Sequence, residues 1–491
     1  MNNLQIFFSD YFEVDEDVVE TYGAVNISLL NDMPLFIDPF LLFNSEKAEY
    51  QAIHSNIIKY LLFLQEQANA YPTPPAGMLE SWFSFSEVKQ TWLGFSLSGN
   101  AGRGLGRDFA MNLYKGLRTI FKDFGKEKLT KSSHLEKLCL ISPLVGRDKI
   151  SDLTTNFSKL YLLQYTENFA KSYLKEEKCR VFYVPRVSFN YITGTWMSGS
   201  FYLPCYQEDF VLLTPRDILT RDDTFINRTD MISNLQYLVP AVDDAVLRFS
   251  LNQYLTEILP RKKKEMSKSE KDKAASLLVS DHPEIIDYYI KYKEENEAEA
   301  TSISKQVVQE VKQLFNLQLK ELANLLHEKT PFYDIHPTAH DEARERVLYL
   351  KKVIEDMDGY RIFYLKGKPI KRENDLQIMY RLVWYATEFD VNREVNNGRG
   401  PVDYKISKGA WNSSLVEFKL ASNSKLKKNL ANQVEIYKKA NRTAEAIKVI
   451  LFFSDEEYET VSRILSELEL SDDPDIILID ARPNKPSASI A

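Results

Sequence analysis

The sequence predicts an α/β domain from about Gly359 to the C-terminus, preceded by a mixed α+β N-terminal region and a helical connector. Three observations predict it. Two short segments, VDYKI (402–406) and VEFKL (416–420), alternate apolar and charged residues as half-buried strands do. Helical and strand-like segments succeed one another around them in the order α-β-β-β-α-β-α-β, which suggests a central sheet with helices on both faces. Charge is also partitioned. Arg361–Arg442 holds 17 Lys/Arg against 8 Asp/Glu, whereas Thr443–Ala491 holds 4 against 11.

Taken in order, the elements fall into three regions. Residues 1–255 read as mixed α and β. Ala24–Asp38 is strand-like, Ala52–Ala70 has helical periodicity, and Tyr71–Gly77 is a Pro-rich connection. Glu87–Arg107 carries the glycine cluster, and Val181–Tyr191 and Ser200–Leu213 look like strands. Residues 256–358 read as a helical connector. It opens on the basic run RKKKEMSKSEKDK, is interrupted by Pro331 and Pro337, and resumes as a helix over about His340–Asp356. Residues 359–491 form the C-terminal domain. Helices are predicted over about Glu373–Thr387, Lys425–Ala440 and Asp455–Leu468. Strands are predicted at Asp390–Val395, Val402–Ile406, Leu415–Leu420, AIKVILFF (446–453) and IILIDA (476–481).

Bulk properties narrow the class. A chain of 491 residues is expected to hold two or three domains. Its three cysteines, Cys139, Cys179 and Cys205, are too far apart in sequence for a disulfide framework or a zinc cluster. The N-terminus lacks a basic leader, and the longest apolar runs, such as Ile447–Phe453, are too short to span a bilayer. A soluble, cytoplasmic protein without a membrane partner is therefore expected. A net charge of −8 excludes a chain that coats nucleic acid along its whole length, but the basic block suits a local polyanionic substrate.

That block also holds the candidate chemistry. In VEFKL, Val416, Phe418 and Leu420 make one strand face, and Glu417 and Lys419 share the other. In VDYKI, Asp403 and Lys405 oppose Val402, Tyr404 and Ile406 in the same way. If the strands pair as a hairpin, Asp403, Glu417 and Lys419 converge. Two carboxylates repel each other, and burial disfavours their ionisation, unless a divalent cation resolves the conflict. Mg²⁺ suits hard oxygen ligands and also takes phosphate oxygens.

Asp403, fourteen residues before Glu417-Phe418-Lys419, resembles the D…(D/E)-x-K signature of the PD-(D/E)XK (restriction-endonuclease-like) superfamily. The surrounding α-β-β-β-α-β order resembles that family's core, over roughly 120 to 130 residues. Pro401 is separated from Asp403 by Val402, so the literal Pro-Asp pair is absent. The resemblance implies an αβββαβ nuclease core. Asp403, Glu417 and the Phe418 carbonyl would ligate Mg²⁺ or Mn²⁺, and Lys419 would be the catalytic lysine. It further implies an acidic residue on the first helix, Glu373 with Asp375 behind it. The helix after the E-x-K strand would contribute a polar residue, Gln433, with Tyr437 one turn on. The activity so implied is that of a metal-dependent endonuclease cutting nucleic acid, DNA rather than RNA, with the N-terminal region as sensor or recognition module. A large appended region of different charge resembles bacterial anti-phage defence proteins, an argument by association. The alternative from another class is a nuclease fold that no longer cuts and serves as a nucleic-acid- or partner-binding module. A homo-oligomer or a regulatory partner is compatible with either.

Arg393, Arg399, Lys405, Lys408, Lys425, Lys427, Lys428, Lys438 and Lys439 are candidate phosphate contacts; a solvated face is the bland alternative for the lysine-rich helix. GNAGRGLG (99–106) lacks the Gly-Lys-Ser/Thr of a P-loop and reads as a loop. In GRDKISDLTTN (146–156), Ser151 or Asp152 is expected to cap the following helix. A ligand-sensing pocket near Arg147, Asp148, Asp152 and Asn156 is the second reading of that segment. His336 and His340 are four apart, but Pro337 between them opposes a helical zinc pair.

Overall fold

The structure, a computed structural model, describes residues 6–94, 105–119, 124–141, 145–221, 223–258, 266–332, 338–384, 389–396, 401–408, 412–431 and 445–483. At 119, 255, 257, 258, 268, 382, 390, 392–396, 401–403, 408, 412 and 445 it describes the backbone alone. The chain is mixed α/β and divides into two compact units, one built within residues 1–308 and the other chiefly from 309–491. The helices of 268–356, read from sequence as a connector, are shared between these units.

The first unit is mainly helical. Its long elements are α1 (Ala48–Ala70), α2 (Arg147–Tyr173), α3 (Arg228–Leu238), α4 (Lys268–Asp281), α5 (Ile285–Glu295) and most of α6 (Glu297–Val311). A long hairpin of β1 (Cys179–Asn190) and β2 (Thr195–Tyr206) lies against α2. Its turn is closed by Gly194, whose φ of +64° disfavours a side chain, and the Gly194 N–H donates to the Asn190 carbonyl at 2.9 Å.

Two expectations need correction in this unit. Ala24–Asp38 is not a strand; Phe36–Ile37 pairs antiparallel with Leu219–Thr220, and isolated bridges join Ala24 to Pro215 and Met33 to Leu93. At the buried start of that segment, side chains take over part of the work of a ladder. Asn26 Oδ1 accepts from the Ser9 N–H at 3.0 Å, and Asn26 Nδ2 donates to Ser9 Oγ at 2.8 Å. Nor do Ser151 and Asp152 cap a helix. α2 begins earlier, at Arg147, so both lie inside its second turn, and Ser151 Oγ accepts from the Ile37 N–H at 3.0 Å.

The second unit contains α7 (Leu319–Lys329), α8 (Ala339–Asp356), α9 (Glu373–Val383), β3 (Asp390–Asn396), β4 (Pro401–Lys408), β5 (Asn412–Leu420), β6 (Glu445–Phe452), α10 (Asp455–Glu467) and β7 (Ile476–Asp480). Its sheet has the spatial order β7-β6-β5-β4-β3. β3, β4 and β5 form an antiparallel meander, and β5-β6-β7 are parallel. Parallel neighbours need crossovers, which the chain supplies with the helix opening at Leu426 and with α10.

Alternation along β5 and β6 gives the sheet two buried faces. Tyr404 and Phe418 meet Tyr380 of α9 at centroid distances of 5.6 and 4.5 Å. Ala343, Val347, Leu350 and Ile354 of α8 are fully buried or nearly so, and α8 lies on this sheet. Ile450 and Phe452 face the other way, into a cluster with Leu426, Leu430, Val461 and Leu465. Burial on both faces explains why AIKVILFF reads as a continuous apolar run. A helix in α8 starts cleanly because Thr338 Oγ1 accepts from the Asp341 N–H at 3.0 Å. Among the described residues, no helix is long and apolar enough to cross a membrane.

Candidate active site

β5 positions the central pair. Its apolar face is anchored by Val416 and Phe418, both fully buried, so Glu417 and Lys419 must project from the opposite face. They do so at the end of the strand, where the side chains of Glu417 and Lys419 keep only 12% of their exposure each. Lys419 Nζ lies 3.2 Å from Glu417 Oε1 and 3.6 Å from Glu373 Oε2.

Glu373 opens α9, where the helix N-terminus favours a carboxylate. Its Oε1 accepts from Asn423 Nδ2 at 2.6 Å and from the Leu420 N–H at 3.3 Å. The loop after β5 therefore holds Glu373, and Glu373 together with Glu417 holds the Lys419 ammonium. Such hydrogen-bonded supports fix a functional side chain in one orientation.

Asp403 stands one residue beyond the last paired position of β4 and β5. β4 and β5 pair with Tyr404 opposite Val416. The paired register ends there; continued by one residue, it would set position 403 beside Glu417. The side chain of Asp403 lies outside what the structure describes, as do Gln433 and Tyr437 altogether. Among the described residues, no three His, Cys, Asp or Glu side chains are grouped to hold a metal ion. Asp375, the other acidic candidate on α9, is buried, with only 4% of its surface exposed.

One site residue was missed by sequence reasoning. Lys448 of β6 stands directly across from Glu417 in the parallel register and is 7% exposed. Burial lowers its pKa, while Glu417 and Asp473 hold it up. The signal was present as a single charge within AIKVILFF, a strand otherwise apolar. Asn423, which grips Glu373, had no signal; an asparagine after a strand reads as a turn residue.

Of the candidate phosphate contacts, Lys425, Lys427 and Lys428 are exposed at the start of the helix after β5. Lys427 Nζ pairs with Glu467 at 2.5 Å. Arg399, Lys438 and Lys439 lie outside the described residues, and Arg393 and Lys408 are described in backbone only. His340 Nε2 lies 3.2 Å from Asp475 and its Nδ1 3.3 Å from Ser414 Oγ, while His336 lies outside the described residues.

Residues 13–227 match a family described as Domain of unknown function (DUF8370), and residues 339–455 match one described as Domain of unknown function (DUF8371). The second match begins at the first residue of α8 and encloses Glu373, Asp403, Glu417, Lys419 and Gln433. No curated protein and no solved structure matches the chain.

Proposed function

We propose that the C-terminal domain is a metal-dependent nuclease of the PD-(D/E)XK kind, hydrolysing phosphodiester bonds in DNA in preference to RNA. The observation that carries this reading is the convergence of Glu373, Glu417 and Lys419 at one end of β5, with position 403 one residue past the Tyr404–Val416 pair of the adjacent strand. The strand order and the helices on both sheet faces support it as well.

The donor chemistry fits a hard divalent cation. Glu417 and Asp403, with the Phe418 carbonyl, would offer oxygen ligands and leave open positions for water and phosphate. Two carboxylates opposite the Lys419 and Lys448 ammonium groups are charge-balanced; a third, from Asp403, tips the site towards a cation. A bound Mg²⁺ or Mn²⁺ supplies positive charge to the phosphate and acidifies a coordinated water. Lys419 would orient that water and offset the phosphate charge, and Glu373 would hold Lys419 in place. The N-terminal unit would act as the sensor or target-recognition module, by analogy with the layout of anti-phage defence proteins.

Incubation of supercoiled plasmid with the full chain tests the reading. Nicking is expected with Mg²⁺ or Mn²⁺, none with EDTA, and at least about a hundredfold loss in Lys419→Ala. A folded parent protein that leaves DNA and RNA intact but retains them in a gel shift would assign the domain to the binding-module alternative. Cleavage by Lys419→Ala at near the parental rate would overturn the mechanism.

A further inference from the structure

A second site candidate lies wholly within the first unit. A cavity of about 750 Å³ opens among α1, α2, α6 and the turn at Pro215–Asp217. This volume falls within the range of small-molecule sites. One face of α2 supplies Tyr161, Gln164, Tyr165 and Asn168, spaced to line one side of a helix. Tyr22 and Tyr50 complete an aromatic wall. Tyr161 and Tyr165 are stacked at 5.8 Å with planes 26° apart, and Tyr22 lies 4.6 Å from Tyr165. Gly23, at φ +92°, closes the rim where any side chain would be strained.

The polar lining is unevenly matched. Asp217 is occupied: it accepts from Lys47 Nζ at 2.6 Å and from the Tyr50 hydroxyl at 2.8 Å. Arg216 and Lys305, both exposed at the cavity, form no ion pair among the described residues, and the Gln164 and Asn168 amides make no hydrogen bond there. The site thus combines flat aromatic surface, two uncommitted cations and two uncommitted amides. Stacking on aromatic side chains accommodates any nucleobase, guanidinium and ammonium groups take phosphate, and amides read base edges. Glu49 at the rim can accept from a ribose hydroxyl or a base amino group. A neutral sugar would leave the cations unused, and a simple polyanion would leave the tyrosines unused.

We propose that this cavity binds a free nucleotide, with the base against Tyr161 and Tyr165 and the phosphate at Arg216 and Lys305. The proposal stands apart from the nuclease reading, since none of its residues belongs to the C-terminal unit.

Calorimetry on the full chain in EDTA tests it, with AMP, ATP, GMP, GTP and UMP as probes and adenosine and pyrophosphate as controls. At least one nucleotide is expected to bind at one site per chain, with adenosine and pyrophosphate at least about tenfold weaker. Arg216→Glu with Lys305→Glu should weaken binding by about a hundredfold or more, and Gln164→Ala severalfold, both with parental melting curves. Lys419→Ala should bind as the parent does. The proposal is overturned if no nucleotide binds the parent, if pyrophosphate binds as tightly, if the charge-reversed variant binds normally, or if Lys419→Ala abolishes binding.

Discussion

Lys448 and Glu417, opposite each other in the β5–β6 register, place a buried charge with a stability cost at the candidate site. A lysine whose folded pKa is lowered is protonated less readily in the folded state than in the unfolded one. Its destabilising effect is fully present below the folded pKa. It is relieved as pH rises from there towards the unfolded value near ~10.4. Urea denaturation from pH 7 to 10 should therefore show Lys448→Met as the more stable protein at neutral pH, by about 1–2 kcal/mol, with the gap closing as pH rises. A gap that widens with pH would contradict this account. Asp152 behaves in the mirror sense. Burial, then Glu87 and Asp148, push its carboxyl up to about 7. Its folded pKa lies above the unfolded value near ~3.9, so stability is lost as pH climbs from about 4 to 7 and stays lost above. Asp152→Asn should raise the melting temperature at pH 8 and leave it near the parental value at pH 4. In the C-terminal site, Glu373→Gln keeps the shape of Glu373 but removes the charge next to Lys419. On the nuclease proposal, turnover should fall by about tenfold to a hundredfold, with little change in Mg²⁺ affinity measured by calorimetry. If Mg²⁺ affinity falls in step with turnover, Glu373 is a metal ligand and its positioning role is wrong. Of these residues, Glu417, Lys419 and Glu373 were legible in the sequence because strand alternation and helix-start chemistry are local. Lys448 was not singled out, since its value depends on which strand lies beside β5, a long-range fact.

At the scale of elements, legibility followed the same division between local and distant causes. The strands of the C-terminal sheet were predicted within a few residues of where they lie, because each carries its own alternation or apolar run. Ala24–Asp38 misled because its apolar residues are buried by partners far along the chain, without a ladder, and periodicity cannot distinguish the two. In α8, the exposed-looking sequence AHDEARERVLYL hides a buried ion pair. Arg346 Nε lies 2.7 Å from Glu342 Oε1 with both side chains inaccessible, and the guanidinium sits over Trp384 at 4.8 Å. Charge pattern alone reads such an i, i+4 pair as a solvated face. Glu342→Ala would leave the Arg346 charge buried without its carboxylate and should destabilise the second unit by about 3–5 kcal/mol. Glu342→Ala combined with Arg346→Met should cost less than Glu342→Ala alone. Thermal melts of both variants check this, and additive losses would argue against a coupled pair.

For the whole molecule, the placement of α7 and α8 decides where an independent C-terminal domain begins. α8 turns Ala343, Val347, Leu350 and Ile354 into the sheet, and Lys351 Nζ donates to the Leu478 carbonyl at 2.6 Å. Glu355 accepts from the Asp480 N–H at 2.8 Å, tying the helix to the last strand as well. α7 packs in turn against α8 and α9 through Leu319, Leu322 and Leu326, all buried. A fragment that starts near Gly359 keeps α9 over Tyr404 and Phe418 but uncovers the part of that sheet face on which α8 lies, and the lost burial of four aliphatic side chains at about 1.5–3 kcal/mol each is comparable with the whole margin of a small domain. Residues 309–491 expressed alone should unfold in one cooperative transition with a sharp melting curve. Residues 359–491 should lack that transition and bind the dye ANS as a loosely packed state does. If the shorter fragment melts cooperatively at the same temperature, α7 and α8 are accessory to the sheet, and the domain is smaller than its buried contacts require.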